Sequence, residues 1–176
     1  MSAAMRGGPA ERNGCCSQTS VVSRPPRLED FDYRGRHSYF LTFCAADRQP
    51  VLGDPAIANM VTAQILQTAR WYDFIVLAYC IMPDHLHLLV HGQTDRADAR
   101  RFVTSLKRRT GQSYASSADK PLWQEGYYDH VVRPEENRDG IARYIFENPV
   151  RAGIVTSALD YPFMGSESWS IADLFK

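Results

Sequence analysis

The sequence predicts an α+β fold: a ferredoxin-like split βαβ sheet of order β-α-β-β-α-β, with an additional C-terminal helix. Three observations predict it. Segments 37–44, 73–78, 85–91 and part of 122–133 are rich in aromatic and β-branched residues, in alternating or continuous apolar runs typical of strands. Segments 55–71 and about 95–114 instead repeat their apolar residues at helical spacing. In this order each helix links two strands across a sheet, which gives an antiparallel sheet with those helices on one side.

The elements follow in order. Residues 1–28 are rich in Gly, Ser, Pro and Arg with few large apolar side chains, and read as a disordered tail before a single domain of 29–176. Structure is expected to start near Asp32. The first strand is 37–44. Asp54-Pro55 then supplies an N-cap and a first-turn proline. Ile57, Met60, Val61, Ile65, Thr68 and Tyr72 carry that helix to about Trp71. Residues 73–78 form the second strand, Pro83-Asp84 a turn, and 85–91 a third strand that closes a hairpin. The second helix turns Phe102, Val103 and Leu106 inward. Residues 116–121 are a loop, and 122–133 hold the fourth strand. A third helix opens at Pro134-Glu135-Glu136, carries Ile141, Tyr144, Ile145 and Asn148, and stops at Pro149. Residues 149–155 are a short helix or turn, and an irregular tail begins at 160–163.

Composition bounds the function. A chain of 176 residues with 44% hydrophobic content is long enough for one sizeable core. Twenty basic residues balance twenty acidic ones, so no global basic field marks a non-specific nucleic-acid coat, while a local basic patch remains open. Four cysteines without CxxC spacing read as free thiols of a reducing cytoplasm. Cys80 lies five residues from His85 along an extended run, which would carry it away from any shared ion. No apolar run approaches the ~18 residues of a membrane span, and no signal-peptide pattern is present, so a cytoplasmic location and no membrane partner are expected.

Chemistry concentrates in three places. His85 and His87 stand at i and i+2 of a strand, so both imidazoles project to one face and can reach one point. Leu86, Leu88 and Val90 then face the other way. The pair reads equally as two structural histidines or as two ligands of a divalent ion with open positions. His91 shares the face but lies about 13 Å from His87, too far to join it. Tyr144 and Asn148 stand one helical turn apart on one face. A tyrosine can attack phosphorus and an amide oxygen can bind Mg²⁺ or Mn²⁺, but a core tyrosine and a helix cap fit the same positions. Arg100, Arg101, Lys107 and Arg108 make the outer side of the second helix basic, either as a solvated surface or as contacts to phosphates. Arg24 and Arg27 extend the second possibility into the tail.

The order of the motifs adds what none gives alone. Tyr79-Cys-Ile-Met-Pro-Asp-His-Leu-His-Leu-Leu-Val90 resembles the HUH element of single-tyrosine transposases, typically "MPDHxH". Leu122-Trp-Gln-Glu-Gly-Tyr-Tyr-Asp-His130 is similar to a "WQxxYYDH" segment of the same family, and Ala142-Arg-Tyr-Ile-Phe-Glu-Asn-Pro-Val-Arg-Ala-Gly-Ile-Val155 to "RYIxxNPVRAGLV". The last points to the REP-associated branch of the insertion-sequence transposases. Asp160-Tyr-Pro-Phe163 resembles its "DYPWSS" ending, with Met164-Gly165 departing from it. The resemblance covers about 33–169.

It implies a metal-dependent endonuclease and strand transferase acting on single-stranded DNA at REP-like hairpins. His85, His87 and Asn148 would be ligands of Mg²⁺ or Mn²⁺ and Tyr144 the nucleophile that forms a 5′-phosphotyrosine. Arg100, Arg101, Lys107, Arg108, Arg24 and Arg27 would contact the hairpin backbone. The branch implies a monomer, the wider family a homodimer, and a DNA substrate implies association with the nucleoid. Two alternatives differ in class: a non-catalytic hairpin-binding descendant, and a metal-dependent hydrolase in which water attacks and Tyr144 is core.

Overall fold

The computed structural model describes residues 31–115 and 120–175. The tail reading of 1–28, with Arg24 and Arg27, lies outside these residues, as does most of the 116–121 loop. Strand β1 is Ser38–Cys44, helix α1 Pro55–Trp71, strand β2 Phe74–Met82, strand β3 His85–Gly92, helix α2 Ala99–Ala115, strand β4 Tyr128–Val132 and helix α3 Arg138–Arg151. A two-residue strand β5, Met164–Gly165, and a one-turn helix α4, Ile171–Leu174, follow. The sheet is antiparallel with order β4-β1-β3-β2-β5, so β3 is the central strand.

The expected α+β architecture is what forms. Asp54 caps α1 by accepting from the N–H groups of Ala56 and Ile57 at 2.8 and 3.2 Å. Pro83-Asp84 turns the β2–β3 hairpin, with Met82 opposite His85. The strand alternation sorts two cores. Leu86, Leu88 and Val90 of β3 face α1 and α2, together with Phe43, Ile65, Phe102 and Leu106. Leu89 and Cys80 face α3, against Ala142, Ile145 and Phe146. Helices α1 and α2 therefore cover one face and α3 the other.

Four boundaries differ from expectation. Strand β2 runs to Met82 rather than ending at Ala78, because a bulge between Val76 and Ala78 absorbs the break in alternation. Helix α2 starts at Ala99, not about 95: Asp98 caps it, its Oδ1 accepting from the Arg101 N–H at 3.0 Å. Helix α3 starts at Arg138, not Pro134. Asn137 caps it by accepting from the Asp139 N–H at 3.0 Å, while Glu136 turns back to the Arg133 N–H at 3.0 Å.

Helix α3 also continues through Pro149 to Arg151. Proline has no N–H for the Ile145 carbonyl. The Asn148 side-chain amide lies there instead, donating to the carbonyls of Tyr144 at 2.8 Å and Ile145 at 3.3 Å. The helix ends one turn later in a Schellman motif. The N–H groups of Gly153 and Ile154 donate to the Val150 and Pro149 carbonyls, with Gly153 at φ +69°.

The tail expected to be irregular is a structural strap. The Tyr161 hydroxyl donates to the buried Ile81 carbonyl at 2.6 Å, the Ile81 N–H donates to Phe163, and β5 then pairs with β2. Glu167 completes it, accepting from the Val76 N–H at 2.9 Å beside the bulge.

At the end of β3, a Cβ on Gly92 would stand 2.1 Å from the Gly35 carbonyl oxygen and 3.0 Å from the Ala97 Cβ. Gly92→Ala is therefore expected to destabilise the protein by about 2 kcal/mol or more. The shift of the urea unfolding midpoint measures it.

Candidate active site at the histidine pair

Strand periodicity puts His85 and His87 on the α3 side of β3, and their Nε2 atoms lie 3.1 Å apart. The hairpin turn fixes one ring and the neighbouring strand β1 the other, each through its second nitrogen. The Nδ1 of His85 is 2.6 Å from Asp84 Oδ1, so that N–H donates to the carboxylate and leaves Nε2 with its lone pair. The Nδ1 of His87 is 3.0 Å from the hydroxyl of Thr42, its cross-strand partner in β1. A hydroxyl can donate or accept, so His87 can exchange tautomers without moving.

Arg48 holds Asp84 in turn, at 3.0 Å from Oδ2, and donates to the Cys44 thiol at 2.9 Å. It leaves a short turn in which Asp47 and Arg48 are both left-handed, at φ +52° and +55°. Such a conformation is costly for non-glycine residues and persists where surrounding contacts enforce it. Here the ion pair and thiol contact do so.

Burial favours the uncharged imidazoles. His87 is 8% exposed, and burial, then the charge of His85, then Arg48 and Arg151 push it down to about 3. Burial also lowers His85, partly offset by Asp84. Neutral rings are what metal ligation requires. Two imidazole nitrogens about 2.1 Å from one ion, at right angles around it, stand about 3.0 Å apart. The observed pair fits a divalent ion on that test. Among the described residues no group of three or more His, Cys, Asp or Glu side chains can hold an ion.

Tyr144 meets the pair from α3. Its ring is 6.2 Å from the His87 ring and 6.2 Å from the Phe40 ring, and Phe40 stacks on His87 at 5.6 Å. The Arg151 guanidinium lies over the Tyr144 ring, 4.7 Å from its centroid. Asn148 follows one turn on. Because its amide nitrogen donates to backbone carbonyls, its Oδ1 is left as the acceptor. Tyr144 also lines an open cleft of about 350 Å³ that runs between β4 and α3, past Phe40, Tyr128, His130 and Glu136.

The remaining candidates lie elsewhere. Arg100, Arg101, Lys107 and Arg108 sit on α2, across the sheet from the histidine pair. Arg100 stacks on Tyr33 at 4.6 Å and Arg101 pairs with Asp98 at 3.7 Å. Lys107 donates to the carbonyls of Gln124 at 2.8 Å and Gly126 at 2.6 Å, bracing the loop that leads into β4. Arg108 is exposed. Cys80 is nearer than its sequence separation suggests, because the hairpin places it opposite His87. It stays a core thiol: fully buried, pushed up to about 12 by burial, and donating to the Met82 sulfur at 3.8 Å.

Sequence reading missed Thr42, Arg48, Asp84 and Arg151. Asp84 and Arg151 lie inside the quoted motifs, Asp84 as part of a turn and Arg151 in a short helix or turn with no role of its own. Thr42 and Arg48 become visible only through strand register and a left-handed turn.

Comparisons with known proteins place the chain in a family. Residues 34–148 match the family model described as "Transposase IS200 like", a span that includes His85, His87, Tyr144 and Asn148. A Haemophilus influenzae protein assigned as a REP-associated tyrosine transposase is 27% identical over 137 residues, covering 71% of this chain and 77% of its own. A REP-associated tyrosine transposase of Escherichia coli K12 is 26% identical over 108 residues, covering 60% and 62%. Among solved structures, a REP-associated tyrosine transposase bound to a REP hairpin superposes with a TM-score of 0.67 at 22% identity, covering 81% of this chain and 82% of that one. No helix among the described residues is long and apolar enough to cross a membrane.

The neutral histidines set a pH dependence. A folded-state value far below 6.5 means that the unfolded chain takes up protons first as pH falls. Stability is therefore full above about 6.5 and is lost as pH drops from there towards 3. The slope for His87 is expected to approach ~1.4 kcal/mol per pH unit. Urea titrations of the metal-free protein should show this slope, reduced in His87→Gln.

Proposed function

We propose, starting from the premise that this chain belongs to the IS200-like transposase family, that it nicks and rejoins single-stranded DNA beside hairpins through a 5′-phosphotyrosine at Tyr144. The observation that carries this reading is the packing of α3. It sets the Tyr144 ring against His87 and beneath Arg151, so that nucleophile, ligand pair and cation share one face of the sheet. A tyrosine kept only for packing would need neither neighbour.

His85 and His87 would hold Mg²⁺ or Mn²⁺ through Nε2, with Asn148 Oδ1 as the third protein ligand. Bound there, the ion supplies positive charge to the non-bridging oxygens of the scissile phosphate. The chain's own residues do the rest. Tyr144 Oη attacks phosphorus and gives up its proton to water. The bond from phosphorus to O3′ breaks, O3′ takes up a proton from water, and the downstream strand stays joined to Oη. Arg151, over the face of the ring, stabilises the negative charge on phenolate and phosphate. Asp84 keeps the His85 lone pair directed at the site, and Arg48 keeps Asp84 in place. One phosphate ester replaces another, so the step is near thermoneutral and can run backwards onto a new 3′-hydroxyl, which is strand transfer.

The solved relative bound to a REP hairpin supports a hairpin substrate. The hairpin stem is assigned to the exposed guanidinium groups of Arg100, Arg101 and Arg108 on α2, remote from the nicking centre; Arg24 and Arg27, outside the described residues, are assigned to the DNA backbone as well. Lys107 is assigned to bracing rather than to DNA.

Incubating the chain with hairpin-bearing single-stranded DNA and Mn²⁺ is expected to yield a denaturation-resistant protein–DNA adduct. Tyr144→Phe should reduce it by at least ~10³-fold, with hairpin affinity in a gel-shift assay nearly unchanged. Nicking that survives Tyr144→Phe would assign the attack to water, and tight binding without nicking by the wild type would leave a binding protein. Asp84→Ala is expected to weaken Mn²⁺ binding by about 10–100-fold in an electron paramagnetic resonance titration. Unchanged affinity would remove Asp84 from the site.

A further inference from the structure

The cleft between β4 and α3 has no part in the reading above, yet Tyr144 forms one of its walls. We propose that it binds a nucleobase, that of the nucleotide directly downstream of the scissile phosphate, stacked on Tyr128 and read at its edge by Glu136 and Asn137. This rests on the nicking reading and specifies the substrate of that same centre.

Connectivity decides which nucleotide is meant. When Tyr144 Oη attacks, O3′ of the upstream strand departs while O5′ of the downstream nucleotide stays on phosphorus. The downstream nucleoside is then tethered by one phosphate to a side chain in the cleft wall. Its base has to lie close by, and the cleft that Tyr144 lines is an open space within that reach.

The walls suit a base. Tyr128 is 45% exposed, a large ring left open to solvent. Phe40 holds it edge-to-face at 6.3 Å and itself stacks on His87, so an aromatic row leads from the cleft to the metal site. An exposed ring at the end of such a row is a stacking platform for an unpaired base. The opposite wall is polar. Glu136 accepts from the Arg133 N–H at 3.0 Å through Oε1, and its Oε2 lies 2.7 Å from His130 Nε2. A carboxylate has about four lone-pair positions, so two remain to accept from a base. Asn137 beside it spends its amide oxygen on the helix cap and keeps its NH₂ as a donor. An acceptor next to a donor matches the hydrogen-bonding edge of a base and not a bare phosphate, which has only acceptors. The volume of about 350 Å³ falls within the usual range of small-molecule sites.

The test uses the full chain, Mn²⁺ and a pool of hairpin oligonucleotides with randomised single-stranded flanks. Denaturation-resistant adducts are collected, the protein is digested, and the attached strands are sequenced. The wild type should show a base bias at the nucleotide joined to Tyr144. Tyr128→Ala should lower adduct yield about ten-fold and flatten the bias at that nucleotide alone. Tyr128→Phe should keep both, which separates stacking from a fold defect, and Glu136→Gln should change the preferred base. The proposal is overturned if the wild type shows no bias at that nucleotide, or if Tyr128→Ala leaves the bias intact. Absence of adducts from every pool member would instead overturn the nicking reading, and this inference with it.

Discussion

The pairing of β1 with β3 sets one register, and the site is built on it. Thr42 stands opposite His87 and Cys44 opposite His85. Because side chains alternate along a strand, a slip of one residue would send both histidines into the α1–α2 core and bring Leu86 and Leu88 out under α3. The fully buried Leu86, Leu88 and Val90 forbid that slip. A hydrophobic constraint on one face of the sheet thereby positions polar chemistry on the other. Asp84, in the hairpin turn, and Arg48, in the strained turn after β1, lock the orientation that register provides.

The second half of the site depends on how α3 ends. Proline at 149 would ordinarily stop the helix, and Arg151 would then not lie over Tyr144. Asn148 covers the Ile145 carbonyl that proline leaves, and the helix runs on to Arg151 before Gly153 closes it. The same contact turns the amide oxygen of Asn148 away from the helix backbone. Cover for the proline, a free oxygen donor and the placement of Arg151 are therefore consequences of one side chain. The strap from Tyr161 to Glu167 holds the neighbouring edge of the sheet through β2.

Much of this was legible in the sequence. The two-residue period of 85–90 separates the two histidines from the core residues, and the helical spacing of Tyr144 and Asn148 puts them on one face; strand β3 and helix α3 keep both patterns. Motif order resembles the transposase family, and the family model matches 34–148. What escaped depends on contacts between distant segments. β5 is two residues long, too short to show any period, and forms because the Tyr161 hydroxyl finds the Ile81 carbonyl. Cys80 was judged by distance along the chain, whereas the hairpin folds it back opposite His87. Lys107 belongs to a basic helix face in sequence and to two backbone carbonyls in the fold. Helix boundaries at 137 and 151 moved for a similar reason: side chains of Asn137 and Asn148 satisfy backbone groups that a pattern of residue types does not display.

The central claim is that Tyr144 becomes covalently joined to DNA. Peptide mapping by mass spectrometry, on protein recovered after reaction with hairpin DNA and Mn²⁺ and trimmed with nuclease, tests it most directly. The expected result is a single modified peptide carrying a nucleotide through its 5′-phosphate on Tyr144. Nicked DNA with an unmodified Tyr144 peptide, or a nucleotide attached to any other residue, would contradict it.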